Sequence, residues 1–435
     1  MFNWYGNHKI GILGSSNSGK TILLTSLLWN LSDHDSERFF VGQGTHVSNF
    51  RIKKSGDHDF GFARHKNTFI QKHRWPEKTA DFSVACCCYD RSDSLCGRQV
   101  SFVDIPGERM SDILLWLAGS YSEWVENLAE FWQDNPHINE IIEPYRKLAR
   151  EPQSSFGDLA DMYKRAMWAM LDTFCPITPS TYYLGTDGQM LGDHNNSERE
   201  KAISSRPIWG DKELLPLPPE WLAAHPKHAK MQEKIFRAYR KTVLKPLFSE
   251  IDSCDNFIFC VDILNILMSG PSLLLQAQRE IKDFIDFLAP GKFVQWMNRI
   301  GRNPPRLAFV ATKSDMVSGD DKDNLDLLLK DFAHSLMPSG IKYHRFICSA
   351  CVSTKLKECS GGQIKLVGHD RDNPKLEIEV GAKLPELWPD TWDIAQYRFP
   401  EVAPVISATR PPEQKNLDKI FEFIVEDVDP GDNAK

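Results

Sequence analysis

Residues 8–24 read HKIGILGSSNSGKTILL, in which a run of small residues separates an apolar segment from one with helical spacing. The part GSSNSGKT matches the pattern G-x-x-x-x-G-K-[ST] in full, and the apolar residues before it predict a short buried strand. A glycine-rich turn between a strand and a helix directs backbone N–H groups and the positive helix N-terminus at one point. The sequence therefore predicts a site for a polyphosphate.

The positions of this loop have separate predicted roles. Gly14 and Gly19 permit the tight path, Lys20 reaches the terminal phosphates and contributes to catalysis, and Thr21 offers its hydroxyl to Mg²⁺. The positions predicted to contact the nucleotide are Ser16, Asn17, Ser18, Gly19, Lys20, Thr21 and Ile22.

A second motif, VSFVDIPGE at 100–108, ends an apolar run in an acidic residue. We expect Asp104 to hold Mg²⁺ through a water molecule, and the backbone N–H of Gly107 to meet a γ-phosphate. The competing interpretation is a strand that ends in an ordinary Pro-Gly turn. That interpretation is the weaker one once a phosphate loop precedes the motif.

Two later motifs predict the base. In ATKSD, at 311–315, the carboxylate of Asp315 can accept from both N1–H and the exocyclic amino group of guanine, a donor pair that adenine lacks. The aliphatic stem of Lys313 would lie along the base plane. FICSAC, at 346–351, follows another predicted strand and places a backbone N–H where guanine O6 would accept. Its predicted nucleotide contacts are Ser349, Ala350 and Cys351.

Apolar strand patterns alternate with helical patterns on both sides of residues 110–254, which predicts an α/β fold with a mainly parallel sheet flanked by helices. Aromatic-rich helical segments between these parts predict a large helical insertion, and GQIKLVGHDRDNPKLEIEVGA predicts a late β-hairpin. The predicted domains are a discontinuous nucleotide-binding domain at 1–110, 255–350 and 411–435, the helical insertion at 111–254, and the hairpin with its extension at 361–400.

The set GSSNSGKT, DIPG, TKSD and SA resembles the Ras-type GTP-binding fold, which is a P-loop NTPase fold. More narrowly, RWPEKT, FVDIPGE, the helical insertion and the late hairpin resemble the YcjX family. This resemblance implies a cytoplasmic bacterial GTPase associated with stress, with GTP or GDP as ligand and Mg²⁺ as cofactor.

The resemblance also implies a switch threonine before the strand ADFSVACC. Thr79 in RWPEKT is the expected Mg²⁺ ligand, and Thr68 is the alternative. Glu108 stands where Ras-like proteins usually carry the Gln that orients the attacking water, so we expect slow hydrolysis with Glu108 in the catalytic position. Arg74 and Arg109 are candidates to assist hydrolysis, although the simpler expectation for both is an ordinary surface arginine.

Composition and cysteine usage limit the other classes. The net charge of −7 argues against a dedicated nucleic-acid binder, and a local excess of basic residues at 51–78 is typical of a solvated face. Adjacent cysteines at 86–88 point to alternate faces of a strand and cannot jointly chelate a metal. No apolar run is long enough to span a membrane and no signal peptide is visible, so we expect a cytoplasmic protein with at most peripheral membrane contact.

Two alternatives to a GTPase remain open. Thr312 stands where Asn is commoner, which leaves room for an ATPase of the same superfamily. Glu108 and the large insertion favour a scaffold that binds nucleotide for stability and turns little of it over. In each case we expect a protein partner to bind the helical insertion or the switch loops, and no nucleic acid.

Overall fold

A computed structural model of the chain describes residues 7–33, 38–42, 44–72, 74–76, 81–173, 177–184, 196–288, 305–337, 343–359 and 364–426. The chain divides into two compact units. The sheet unit comprises Met1–Gly107, Ser253–Pro271 and Leu288–Lys435, and the helical unit comprises Glu108–Asp252 and Ser272–Phe287.

The sheet unit contains a seven-stranded sheet with the order β2-β3-β4-β1-β5-β6-β7. Strands β4, β1, β5, β6 and β7 run parallel, while β3 is antiparallel to β4 and to β2. The strands are β1 (Asn7–Leu13), β2 (Val47–Lys53), β3 (Ser83–Arg91), β4 (Ser94–Asp104), β5 (Asn256–Val261), β6 (Leu307–Ala311) and β7 (Tyr343–Ile347).

Strands β5 and β6 are mostly apolar because both of their faces are covered. Every residue of β5 and β6 is buried, as parallel strands require. Two helices, α1 (Lys20–Ser32) and α15 (Leu417–Val425), supply leucine, isoleucine and phenylalanine side chains to the same core as Ile10 and Ile12. Phe259 stacks on Phe309 across β5 and β6, with 5.3 Å between ring centroids. Three further helices of this unit are α2 (Phe62–Lys72), α12 (Ile263–Ser269) and α14 (Lys322–His334).

A second, antiparallel sheet follows β7 and has the order β10-β9-β8. Its strands are β8 (Thr354–Glu358), β9 (Ile364–His369) and β10 (Glu377–Glu379). The predicted hairpin corresponds to β9 and β10, and its turn begins at Asp370, whose carboxylate accepts from the backbone N–H groups of Asp372 and Asn373. Strand β8, which pairs with β9, was not predicted from the sequence.

The helical unit is built around buried aromatic side chains, including Trp124, Trp221 and Tyr163. A short π-helical turn, Arg240–Leu244, joins two of its helices. The helices are α3 (Ile113–Leu117), α4 (Tyr121–Asp134), α5 (Pro136–Ala149), α6 (Phe156–Asp172), α7 (Thr181–Leu184), α8 (Asn196–Ser205), α9 (Pro219–Ala224), α10 (Pro226–Tyr239), α11 (Lys245–Asp252) and α13 (Pro271–Leu288). Helix α13, which the sequence prediction had included in 255–350, packs within this unit.

The predicted fold class is confirmed: the chain is an α/β protein with a mixed, mainly parallel seven-stranded sheet, a helical insertion and a late antiparallel sheet. Within the described ranges, none of the helices combines the length and the apolar character that crossing a lipid bilayer requires.

Candidate functional site

The four loops that carry the predicted motifs leave the sheet at the same edge. In the parallel register Asp104 lies beside Ile12, Val261 beside Ala311, and Ala311 beside Ile347. Because parallel strands all present their carboxyl ends at one edge, the loops after β1, β4, β6 and β7 emerge together. The loop after β5, which no predicted motif covers, emerges at the same edge.

The loop after β1 is shaped by a close backbone approach. Gly14 has φ +147°, and a Cβ there would lie 2.3 Å from the carbonyl oxygen of Cys260 on β5, so only glycine fits. Asn17, at φ +63°, turns the loop in the left-handed region, and Gly19 is the N-cap of α1. The N-terminus of this 13-residue helix therefore faces the loop that precedes it.

Lys20 is held inside this loop and is only 7% exposed. Its Nζ donates to the carbonyl oxygens of Gly14 and Ser15, both at 2.8 Å, and more weakly to the Ser18 hydroxyl at 3.5 Å. These bonds place a positive charge at the concave side of the loop. A phosphate at that point would meet the ammonium group together with the amino end of the helix.

Thr21 and Asp104 are in direct contact. The Thr21 hydroxyl donates to Oδ2 of Asp104 at 2.7 Å, and Asp104 is 3% exposed. Since the proton of the hydroxyl points at the carboxylate, its lone pairs are directed elsewhere and can bind a cation. A hydroxyl backed by a carboxylate suits Mg²⁺, which binds a few protein oxygens together with phosphate oxygens and water. This pair would hold the ion, which supplies charge neutralisation at the phosphates.

The other residues of the described ranges offer no competing metal centre. No group of three or more His, Cys, Asp and Glu side chains in those ranges is arranged to hold a metal ion.

Gly107, three residues after Asp104, lies against the loop Gly14–Gly19, which is the predicted phosphate loop. A Cβ on Gly107 would stand 2.3 Å from the backbone nitrogen of Ser16 and 2.4 Å from the carbonyl carbon of Ser15. The two loops are therefore packed backbone to backbone, and a side chain at position 107 is excluded. This contact brings the second motif to the place where a terminal phosphate would lie.

Asp315 is fixed in the turn after β6, at the same edge of the sheet. Its Oδ1 accepts from the Ser349 hydroxyl at 2.7 Å, its Oδ2 accepts from the backbone N–H of Ser353 at 2.9 Å, and the residue is 6% exposed. The structure thus brings the predicted Asp315 and Ser349 together beside the half-buried Ala350. Ser353 was missed by the sequence analysis, because a backbone donor carries no sequence signal.

Lys313 is engaged by a carboxylate that the sequence analysis also missed. Its Nζ lies 2.5 Å from Oδ2 of Asp262, the first residue after β5. The only signal in the sequence is a polar residue directly after an apolar strand, in FCVDIL. The pair connects the loops that follow β5 and β6.

Thr312 packs against the phosphate loop. The residue is 6% exposed, and its Oγ1 has no hydrogen-bond partner among the described residues. Its side chain faces Gly19, where an added Cβ would come within 3.7 Å of the threonine methyl. A buried hydroxyl without a partner costs stability, so it requires an explanation.

The cysteines of the last motif behave as buried thiols. Burial raises the pKa of Cys351 to about 12 and the pKa of Cys348 well above its usual range. Their side chains therefore stay protonated at neutral pH and offer neither a nucleophile nor a metal ligand.

The residues that were expected to lie around the γ-phosphate differ in where the structure places them. Thr79 lies outside the described residues. The alternative Thr68 lies on α2, where its hydroxyl donates to the Arg64 carbonyl of the preceding turn. Glu108 is half-buried in a 3-10 turn, and its backbone carbonyl accepts from the Ser111 hydroxyl at 2.8 Å.

The expectation of a surface arginine is wrong for Arg109. This residue is 7% exposed and belongs to the helical unit, where its Nη1 donates to the Ser180 hydroxyl at 3.0 Å. Its neighbour Asp112 is fully buried, and its carboxylate accepts from Thr178, from Ser180 and from the Tyr239 hydroxyl. Burial raises the pKa of Asp112, and Arg109 and the hydrogen bonds oppose that rise. Arg74, in contrast, is exposed.

The profile of the YcjX-like family, DUF463, matches residues 8–428 of the 435 in the chain. No curated protein matches the sequence. Because the match covers the sheet unit and the helical unit alike, the chain belongs to the YcjX-like family, DUF463.

Proposed function

We propose that this protein binds guanine nucleotides with Mg²⁺, hydrolyses GTP slowly and acts as a nucleotide-dependent switch. The observation that carries the proposal is the arrangement of Lys20, the Thr21–Asp104 pair and Asp315 along one edge of the sheet. The first two suit a polyphosphate with its cation, and the third suits a purine edge with two donors.

The phosphate half of the proposal rests on charge and backbone geometry. The loop Gly14–Gly19 has the conformation of a concave turn at a helix N-terminus, with the Lys20 ammonium on its inner side. Phosphoryl transfer to water needs charge neutralisation and positioning more than covalent help, and these groups supply the neutralisation. The backbone N–H of Gly107 is the proposed γ-phosphate contact, from which nucleotide-dependent movement would start.

The guanine half of the proposal rests on Asp315. Each carboxylate oxygen has a second lone pair, so the bonds from Ser349 and Ser353 orient the group without exhausting it. In this orientation the carboxylate would accept from N1–H and the 2-amino group of guanine. The backbone N–H of Ala350 would meet O6, a position where adenine carries an amino group.

Slow turnover follows from Glu108. An anionic side chain next to Gly107 is repelled by the γ-phosphate and positions water poorly, so a protein partner would be needed for a high rate. The family resemblance supports a setting in the stress response of the bacterial cytoplasm, with the partner bound in one nucleotide state.

An ATPase is the second candidate, and Thr312 favours it because, within the described ranges, this side chain makes no hydrogen bond that would fix a guanine-specific loop. Competition against labelled GDP separates the two candidates. We expect GDP and GTP to displace the label at concentrations at which ATP does not. Equal displacement by ATP would overturn the guanine assignment.

A substitution at Asp315 gives a sharper test of the base. Asp315→Asn presents an amide N–H to the position of the guanine amino group, so GDP binding should weaken strongly. Xanthosine diphosphate carries a carbonyl oxygen at that position, and it should bind the variant better than it binds the wild type. A variant whose preference among GDP, xanthosine diphosphate and ADP is unchanged contradicts the proposed contact.

Phosphate release from GTP tests the enzyme assignment. Lys20→Ala should abolish both nucleotide binding and turnover, while Lys330→Ala, at an exposed lysine of α14, should leave both unchanged. If the wild type binds GTP and releases no phosphate on prolonged incubation, the protein is a nucleotide-stabilised scaffold instead.

A further inference from the structure

The geometry points to Asp262 as a positioning residue of the purine site. We propose that its carboxylate holds the Lys313 ammonium, so that the aliphatic stem of Lys313 forms a wall for the base before the base arrives. This inference rests on the proposed function and deepens it, because it assigns a residue outside the sequence motifs to base recognition.

The carboxylate of Asp262 is anchored on both oxygens. Oδ1 accepts from the backbone N–H of Asn265 at 3.0 Å and caps α12, while Oδ2 accepts from Lys313 Nζ at 2.5 Å. The Asp262 side chain is 2% exposed, whereas that of Lys313 is 43% exposed. A buried, rigid anion therefore fixes the tip of a lysine whose stem faces outward.

The backbone conformation at Lys313 places its side chain on the same turn as the carboxylate of Asp315. The residue has φ +59°, and its carbonyl oxygen accepts from the N–H of Met316 in the turn that also contains Asp315. The stem and the carboxylate of Asp315 thus project from one short turn. A purine whose edge meets Asp315 would place its ring face against a side chain of the same turn, and methylene groups are a suitable surface for a ring.

The ion pair also separates the role of the Lys313 ammonium group from that of the Lys20 ammonium group. Its ammonium group is directed at Asp262, whereas the ammonium of Lys20 lies in the phosphate loop. A long, unrestrained lysine loses rotamer freedom when it packs on a ligand, and a side chain restrained in advance loses less. Asp262 should accordingly improve affinity for the base and leave affinity for the phosphates unchanged.

The test compares GDP with Mg²⁺-pyrophosphate, a probe that has the phosphates and lacks the base. Asp262→Ser keeps an N-cap oxygen for Asn265 and cannot reach Lys313, so α12 is preserved while the pair is lost. We expect this variant to bind GDP about tenfold more weakly and to bind pyrophosphate as the wild type does. Lys313→Met keeps an aliphatic stem, loses the ammonium group, and should show the same split.

The double variant Asp262→Ser/Lys313→Met measures the coupling of the two residues. If Asp262 acts through Lys313, the double variant should bind GDP no more weakly than either single variant. Equal losses for GDP and pyrophosphate would show a general structural role, and an unchanged GDP affinity would show no role; either result overturns the inference. Failure of the wild type to bind GDP would instead overturn the proposed function, and this inference with it.

Discussion

Gly107 is a position at which the backbone of a neighbouring loop leaves no room for a side chain. An added methyl group would fall within 2.4 Å of the backbone at Ser15 and Ser16, where no flexible side chain can move aside. We expect Gly107→Ala to displace the phosphate loop and to weaken nucleotide binding by at least about tenfold, since overpacking of this kind costs about 1–3 kcal/mol. Equilibrium binding of labelled GDP measures the effect.

Gly319→Ala is the matched control for that variant. Gly319 lies in the sheet unit, has no atom within 4 Å of an added Cβ, and should bind nucleotide as the wild type does after substitution. Wild-type affinity in Gly107→Ala would show that the two loops separate readily and that their contact is not required for binding.

Thr312 tests whether a buried hydroxyl is reserved for a ligand. Thr312→Val removes an Oγ1 that has no partner in the described part of the chain, so the nucleotide-free protein should gain about 1–3 kcal/mol of stability. The additional stabilisation on adding GDP should shrink if the hydroxyl serves the ligand. Thermal unfolding with and without GDP measures both, and Thr312→Ser, which keeps the hydroxyl, should show neither change. A lower melting temperature for the valine variant would mean that the hydroxyl has a protein partner.

Residues were predictable from the sequence where one local pattern carries the chemistry. Lys20, Thr21 and Asp104 follow from the spacing of two motifs, and the structure brings them together. Asp262 and Ser353 were not predictable, because neither belongs to a local motif, although their contacts with Lys313 and Asp315 span fewer residues than the Thr21–Asp104 contact does. Such contacts depend on the strand order, and no local pattern in the sequence records it.

At the level of elements, long periodic segments were predicted well and boundaries less so. The spacing of apolar residues in ILLWLAGSYSEWVENLAEFW predicts one helical segment, whereas the run forms two helices, α3 and α4. The break follows from the N-cap of α4, where the Ser120 hydroxyl accepts from the N–H of Glu123 and the Glu123 carboxylate accepts from the N–H of Gly119, the residue before the cap. Edge strand β2 was missed because its register is irregular between Ser48 and Arg51.

Helix α13 contains a carboxyl group that makes stability depend on pH. Asp283 lines a small pocket together with Arg279 and Glu280, and its pKa is raised to about 6, mainly by burial, which Arg279 opposes and Asp286 reinforces. An aspartate in an unfolded chain has a pKa of about 3.9. Because the folded value is the higher one, stability present below pH 4 is lost as the pH rises through about 4 to 6.

We therefore expect Asp283→Asn to stabilise the protein at pH 8 by about 1–2 kcal/mol, because solvent partly screens this half-buried group. The same variant should change the stability little at pH 4. Thermal unfolding from pH 4 to pH 8 checks this result. Glu126→Gln, at an exposed position of α4, should show no such trend. An equal effect of Asp283→Asn at both pH values would rule out titration of this group as the cause.

At the level of the whole molecule, the helical unit is formed from two stretches of chain. Residues 272–287 of α13 pack with residues 108–252, and Ile281, Phe284 and Ile285 are almost fully buried in that unit. Phe284 stacks on Phe248 with 6.0 Å between ring centroids. Removing only the longer stretch would leave an apolar helix face uncovered.

We expect a variant in which a flexible linker replaces 108–252 to aggregate. A variant that also replaces 272–287 with a linker should not aggregate and should keep the core of the sheet unit. Size-exclusion chromatography distinguishes the two variants. Aggregation of both would show that the sheet unit does not fold without the helical unit.

The bonds of Lys20 have a consequence for how a ligand would be received. An ammonium group has three protons, and two of them are committed to carbonyl oxygens of its own loop, while the bond to Ser18 is long. An incoming anion would therefore meet a charge that its own loop already holds in position. An arginine could not make the same bonds, since its planar guanidinium group does not fit so tight a turn. Replacing Lys20 with arginine should therefore weaken ligand binding as much as removing the positive charge does.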